Sequence, residues 1–317
     1  MSEFLHQSFL TALLAGGILA GVPLLFAALG EMVSEQAGVL NIGIEGTMLV
    51  GAYVGFVAAH NLHNTGLGFI AGALAGAAVS LIMVVLCVRM GLDQIVVGIA
   101  ITLAAEGATT LIFDSEFAKS RPSLGDTWRL DIPGLSHIPV VGGANTSTGS
   151  IFSQPPVVYI GLAMVAGVAW MMRRSNMGLN IRAAGEKPSA LDAAGVSVTA
   201  TRSWAVLYAG AMAGLGGAYL SITAAGLFEA FITQGRGFIG IVLAMLARGR
   251  ATWVLIGSFV FGISLSVSDA LQIAGVNIST DVVFMLPFLT VIVVLVVFGR
   301  RSYLPGALGL PYVRGAR

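Results

Sequence analysis

Polar and apolar positions fall into long blocks along this chain instead of alternating at the period of an amphipathic helix or a strand. Uncharged apolar runs cover residues 8–30, 47–59, 66–88, 95–105 (continuing to 113), 156–172, 203–228, 237–247, 251–268 and 282–299. A helix spanning a bilayer needs roughly 17 to 25 such residues, and most of the runs reach that length. The pattern predicts an all-α polytopic membrane protein with one transmembrane domain over residues 1–317. The first run has no basic segment before it and is long enough to span, so it is expected to be a retained helix.

Two runs, 47–59 and 237–247, are short. Ahead of the first stands GEMVSEQAGVLNIGIEG, residues 30–46, with Glu31, Glu35 and Glu45. A carboxylate at the centre of a membrane helix costs on the order of 2 to 3 kcal/mol on insertion scales, so such groups usually have a task. Gly43 and Gly46 break the helical pattern, and Asn41 is suited to a polar cavity. Asn41, Gly43, Glu45 and Gly46 are therefore candidates for a substrate pathway or for pinning a broken helix. Glu31 and Glu35 are expected at the membrane interface as helix-end charges.

Residues 31–60 are too many for one straight crossing and barely enough for two. Either the N-terminus lies outside with nine crossings or inside with ten. The second short run is expected to cross as a helix beginning near Phe231, carrying Arg236 close to the outer interface.

Composition agrees with the blocks: 56% of residues are hydrophobic and 10% charged, against about a quarter charged in soluble domains. The net charge of +1 carries no message about acidic partners. Charge placement does. With Arg89 assigned to the cytoplasm and sides alternated, twelve of the sixteen basic residues lie on cytoplasmic segments, which puts the C-terminus inside.

Cys87 is the only cysteine and excludes internal disulfides and multi-cysteine metal sites. His60 and His63 have ligand-like spacing but sit in a wet-looking turn without a third ligand, so no metal is expected. The two lysines, Lys119 and Lys187, follow alanine and glutamate, so no Gly-Lys phosphate loop exists. Nucleophile-elbow and zincin motifs are missing too. No catalytic residue and no cofactor is expected on this chain; if ATP drives it, another chain hydrolyses it with Mg.

Residues 114–155 read as a long external loop, either a docking surface for an external partner or a spacer. Gly68, Gly72 and Gly76 form two GxxxG steps; Gly210 with Gly214 and Gly17 with Gly21 add others. Such spacing lets helix backbones approach closely in lipid. Residues 173–202 form the longest cytoplasmic loop. Within it Pro188 can open a short helix over SALDAAG that ends at Gly195, with the small residues Ala190, Ala193 and Ala194 available for close seating. That favours a docking helix over a solvated connector.

Three blocks resemble the permease subunits of bacterial ABC importers of the branched-chain amino acid, ribose and nucleoside class, nearest the nucleoside (simple-sugar-annotated) branch. They are GEMVSEQAGVLNIGIEGTMLVGAYVGF, MGLNIRAAGEKPSALDAAGVSV, and GLGGAYLSI followed by GRGFIGIVLAMLARGRATWVLIGSFVFG. Together they span most of the chain outside 114–155. The resemblance implies a type II importer transmembrane fold in the bacterial inner membrane, with nine to ten helices including one broken segment, and leans to ten. It also implies a second permease subunit in a heterodimer, a cytoplasmic ABC ATPase and an external solute-binding lipoprotein. Carried onto this sequence, the ATPase-coupling residues are Arg182, Ala184, Gly185, Glu186, Pro188, Ala190, Ala194 and Gly195. One departure is ARGRATW, where many relatives have a Gly-Arg-Trp-Asn-Pro-like turn, which loosens the expected pairing with partner subunits.

The implied cargo is a nucleoside or related small polar solute, with a simple sugar or a branched-chain amino acid as alternatives. A secondary transporter without an ATPase is the rival from another class. Such proteins often show paired inverted repeats, and NIGIEG has no convincing second copy. A membrane enzyme has no constellation to support it.

Overall fold

The computed structural model describes residues 2–118, 121–125, 129–131, 153–273, 285, 289–293, 296 and 304–314. Ten α-helices are assigned there: α1 Ser2–Gln36, α2 Ile44–Leu62, α3 Thr65–Met83, α4 Gln94–Glu116, α5 Pro156–Arg174, α6 Asn176–Glu186, α7 Pro188–Ala193, α8 Val198–Tyr219, α9 Arg236–Ala247 and α10 Ala251–Ile273. Single π-helical stretches extend α3 to Arg89 and α8 to Ala224. Among the described residues five helices are long and apolar enough to cross a membrane: Leu13–Gln36, Thr65–Arg89, Gln94–Glu116, Pro156–Arg174 and Val198–Ala224. The chain is a polytopic helical membrane protein.

In a bilayer the hydrophobic effect does not press helix on helix, so close packing of small residues takes over. The centre of the molecule is built that way. A Cβ added at Gly72 of α3 would lie 2.7 Å from Ala218 Cβ of α8 and 2.9 Å from the Gly51 carbonyl oxygen of α2. One at Gly76 would lie 2.8 Å from Gly214 Cα, and one at Gly68 2.7 Å from Ala59 Cβ. Gly210 faces Ser80 and the Gly76 carbonyl. Helices α2, α3 and α8 therefore touch backbone to backbone. Gly17 and Gly21 of α1 meet α10 at Ile263 and Ser258 in the same manner. A larger-residue core, including Phe26, Leu29, Met32, Tyr219 and Phe261, fills the space around α1.

The first short apolar run is one helix. Residues 37–43 turn, and α2 then continues unbroken for 19 residues, about 28 Å at 1.5 Å per residue. The second short run differs from expectation. It starts at Arg236, not near Phe231, and its 12 residues extend only about 18 Å, well short of the roughly 30 Å hydrocarbon core. Phe231 and Gln234 have φ of +60° and +48°, so residues 225–235 turn instead of extending the helix.

Helix α4 runs to Glu116, so the loop begins slightly later than residue 114. Its stems are joined by a two-residue antiparallel ladder, Leu130 opposite Gln154 and Asp131 opposite Ser153. His63 closes α2 in the left-handed region, its ring 6.5 Å from that of His60. Among the described residues no three histidine, cysteine or acidic side chains cluster as a metal site would require.

Candidate functional site

The turn between α1 and α2 explains why acidic residues sit in GEMVSEQAGVLNIGIEG. A turn buried away from water must satisfy its own N–H groups from within the protein. Here the Val39 N–H donates to the Ser34 carbonyl (3.0 Å), the Leu40 N–H to Gln94 Oε1 (2.8 Å) and the Asn41 N–H to Glu31 Oε1 (2.8 Å), while Ser34 Oγ donates to the Val39 carbonyl (2.8 Å). Glu31 and Glu35 do lie in the last turns of α1, but not at a wet interface. They are 0% and 2% exposed, because the turn folds back over the end of α1 and Glu31 serves as an internal acceptor.

Glu45 lies in the first turn of α2 and is 3% exposed. Its carboxylate accepts the Gly235 N–H at Oε1 (2.8 Å) and the Gly237 N–H at Oε2 (2.6 Å). These are N–H groups at the start of α9, which have no acceptor inside their own helix. The positive end of the α9 dipole strengthens the contact. Gly235 occupies φ +79°, and a Cβ at Gly237 would lie 2.7 Å from Glu45 Cα. One carboxylate therefore sets where the short helix begins.

The other members of the candidate group pack. Gly43 lies against Ile101, and a Cβ at Gly46 would fall 2.6 Å from Thr102 Cα, so both glycines seat α2 on α4. Asn41 is 2% exposed, and its side-chain nitrogen has no hydrogen-bond partner. All four candidates are buried within this chain. Across the α2–α4 contact is a group that the sequence reading passed over, Glu106. It stands one residue past the midpoint of α4, half-buried, on the helix face of Thr102, Thr109 and Thr110. No hydrogen bond or ion pair engages its carboxylate among the described residues. A glutamate interrupting an otherwise apolar run was the available signal.

The loop between α5 and α8 is largely helical. Ser175 caps α6 through Gly178 N–H (3.1 Å), and Pro188 occupies the first turn of α7. Gly195 follows at φ +82°. Leu191 buries against Ala184 and Val198, anchoring α7 by one side. Of the proposed coupling residues, Arg182, Glu186, Ala190, Ala194 and Gly195 are exposed, and Pro188 is half-buried. Ala184 and Gly185 turn inward; a Cβ at Gly185 would lie 3.1 Å from the Gly38 nitrogen, so they seat the loop on the end of α1. Arg314 meets Asp192 of α7 at 3.1 Å.

Several turns share this end of the molecule. Gly91 approaches Pro311, Gly249 approaches Gln36, and Gly38 approaches Arg202 and Ala307. The turn after α3, the turn between α9 and α10, the α6–α7 loop and the tail at 304–314 thus lie together. At the other end, Tyr53 donates to Glu116 Oε2 (2.8 Å), the Leu124 N–H donates to the Gly226 carbonyl (2.7 Å), and Phe117 packs on His60.

Comparison with known proteins identifies this architecture. The guanosine ABC transporter permease protein NupQ of Bacillus subtilis is 31% identical over 321 residues, 97% of this chain and 98% of its own length. The nucleoside ABC transporter permease protein NupC of Lactococcus lactis is 29% identical over 320 residues, covering 96% and 98%. TsgC13 of Haloferax volcanii, provisionally named a glucose ABC transporter permease protein, is 37% identical over 275 residues, covering 86% and 80%. The same two bacteria each hold a second, more distant match, NupP at 27% and NupB at 26% identity. No solved structure matches the chain. The family described as branched-chain amino acid transport system / permease component matches residues 13–296. The chain therefore belongs to that family and is a permease subunit of an ABC transporter.

Proposed function

We propose that this permease imports nucleosides, delivered by an external solute-binding lipoprotein and driven by ATP hydrolysed with Mg on a separate cytoplasmic chain. The observation that carries the reading is end-to-end similarity to NupC and NupQ, the nucleoside and guanosine permease proteins. A glucose-class cargo is the second reading, favoured by the higher identity to TsgC13 over a shorter span. The paired permeases in each of the two bacteria support a second, non-identical permease beside this chain.

The membrane layout we infer has the N-terminus outside, nine crossings and the C-terminus in the cytoplasm, one crossing being made by the turn 225–235 together with the short helix α9. Supporting it are the single helix α2 and the gathering at one end of the segments that hold most basic residues. Residues 182–196 then face the ATPase, with the exposed small side chains of α7 as the seat. In this reading Glu45 frames the pathway from behind by holding α9, Gly43 and Gly46 by seating α2 on α4 beside the buried Asn41, and Glu106 lines it.

The test is uptake into cells expressing the complete importer, with radiolabelled guanosine, uridine and glucose compared at equal permease level. Saturable uptake of a nucleoside, blocked by unlabelled nucleoside and not by glucose, is expected. Glucose uptake without nucleoside uptake would overturn the reading.

A further inference from the structure

A single side chain ties together the three segments that meet at the cytoplasmic end. Arg202, in the first turns of α8, is 3% exposed. Its Nε donates to the Ala37 carbonyl (3.1 Å), Nη1 to the Leu310 carbonyl (2.8 Å), and Nη2 to the carbonyls of Ala184 (3.2 Å) and Ala307 (3.5 Å). No carboxylate takes part among the described residues. The positive charge rests on carbonyls at the C-terminal ends of α1 and α6, where the helix dipoles are negative. The planar guanidinium, with five N–H donors in a fixed fork, can reach several segments at once; an ammonium cannot reproduce that spread.

The same three segments also bond directly to one another. Ala307 N–H donates to the Gly185 carbonyl (2.8 Å), and Gly309 N–H to the Gly38 carbonyl (3.1 Å). Gly38 holds φ +91°, and a Cβ there would sit 2.9 Å from Arg202 Nη2. Alanine at 38 would be strained in its backbone and would crowd the guanidinium.

The line of contacts continues in both directions. On one side, Ala184 and Gly185 close α6, and α7 follows after Lys187. On the other, the turn that begins at Ala37 leads to Glu45, whose carboxylate holds the first N–H groups of α9. A shift of α7 must carry residues 184–185 with it. Through Arg202 that shift reaches the turn at 37–43, and through Glu45 the start of α9. Each link is a hydrogen bond, a short stretch of continuous chain or the packing of Leu191 on Ala184, which is the kind of contiguous network that can transmit a displacement.

We propose that Arg202 is the positioning residue that couples the ATPase-facing helix α7 to the α2–α9 pair in the membrane. The proposal rests on the reading that residues 182–196 dock the ATPase. Its test must separate docking from transmission. The complete importer, with both permeases, ATPase and binding protein, would be purified as wild type, Arg202→Lys, Arg202→Met and Ala190→Trp. Three quantities are read for each: ATPase recovered with the permease, ATP hydrolysed, and substrate imported per ATP in proteoliposomes.

Arg202→Lys keeps the charge but cannot span the three segments. It is expected to retain the ATPase and its hydrolysis while import per ATP falls by about tenfold, within the usual range of coupling between sites. Arg202→Met is expected to lose import at least as fully. Wild-type import per ATP in Arg202→Lys, with or without a folded Arg202→Met protein, would reduce Arg202 to a structural charge and overturn the proposal. Failure of both variants to yield folded permease would mark a folding residue and overturn it as well. Ala190→Trp reports on the underlying reading by itself: normal ATPase recovery together with normal import there rejects α7 as the docking element.

Discussion

Replacing Glu45 with glutamine tests whether one carboxylate fixes the start of α9. The substitution keeps size and leaves one good acceptor, but it presents an amide N–H to one of two backbone N–H groups now accepted at 2.8 and 2.6 Å. Hydrogen bonds to a charged group contribute roughly 1.5–3 kcal/mol, and a buried unsatisfied donor costs about 1–3 kcal/mol. Loss of the charge at the helix N-terminus removes on the order of 0.3–1 kcal/mol more. These overlap in one contact, so about 2–4 kcal/mol is a reasonable local penalty. If α9 opens at its first turn, amide exchange there should speed up by roughly 30- to 1,000-fold, at tenfold per about 1.4 kcal/mol. Hydrogen–deuterium exchange of the purified permease in nanodiscs would follow peptides covering 235–243, with α8 peptides as the internal reference. Glu45→Asp, one methylene shorter, should fall between wild type and Glu45→Gln. Exchange in 235–243 unchanged by Glu45→Gln would refute the reasoning, since Glu45 is the acceptor of both the Gly235 and Gly237 N–H groups among the described residues.

Three further outcomes are expected. Gly76→Ala should lower the thermal midpoint of the permease, at a cost of about 1–3 kcal/mol for overpacking, because its Cβ would press on Gly214 Cα at 2.8 Å; Gly107→Ala, with open space around it, should not, and equal midpoints would discredit the close-packed centre. With buried Cys87 as background, a membrane-impermeant maleimide on intact cells should label Ser123→Cys and spare Ser189→Cys, the reverse pattern inverting the layout. Glu106→Leu should leave the amount of permease in the membrane unchanged, since its carboxylate has no partner to lose among the described residues, yet slow import by about 5- to 10-fold, the worth of one lost polar contact; wild-type import would remove Glu106 from the pathway.

Local signals and distant partners were legible to very different degrees in the sequence. The start of α7 could be read because Pro188 fixes its own backbone angle, and its end because Gly195 takes a left-handed one. Apolar block length likewise announces most spans. The start of α9 could not be read, because the group that sets it, Glu45, is 190 residues away in the chain. Arg202 registers in a sequence only as one more positive charge near a membrane end; its four carbonyl acceptors belong to segments that meet only in the fold. Glu31 misleads for the same reason. Its acceptor role depends on the chain doubling back ten residues later, and a charge in an apolar block reads by default as a marker of water.

Backbone contact among α2, α3 and α8 has a mechanical corollary. Packed helices slide past one another by small side-chain rotamer adjustments, which shear needs at every contact. Gly51, Gly72, Gly76 and Gly214 have no side chains to adjust, and apart from Ala218 Cβ, itself without a rotamer, the atoms nearest them are main-chain. These three helices should therefore travel as one stiff block through the transport cycle. Relative motion then falls to seams lined by larger side chains, such as α5 against α1, where Gly161 faces Leu25 and Phe26 in a core that also holds Val157, Val165 and Val168.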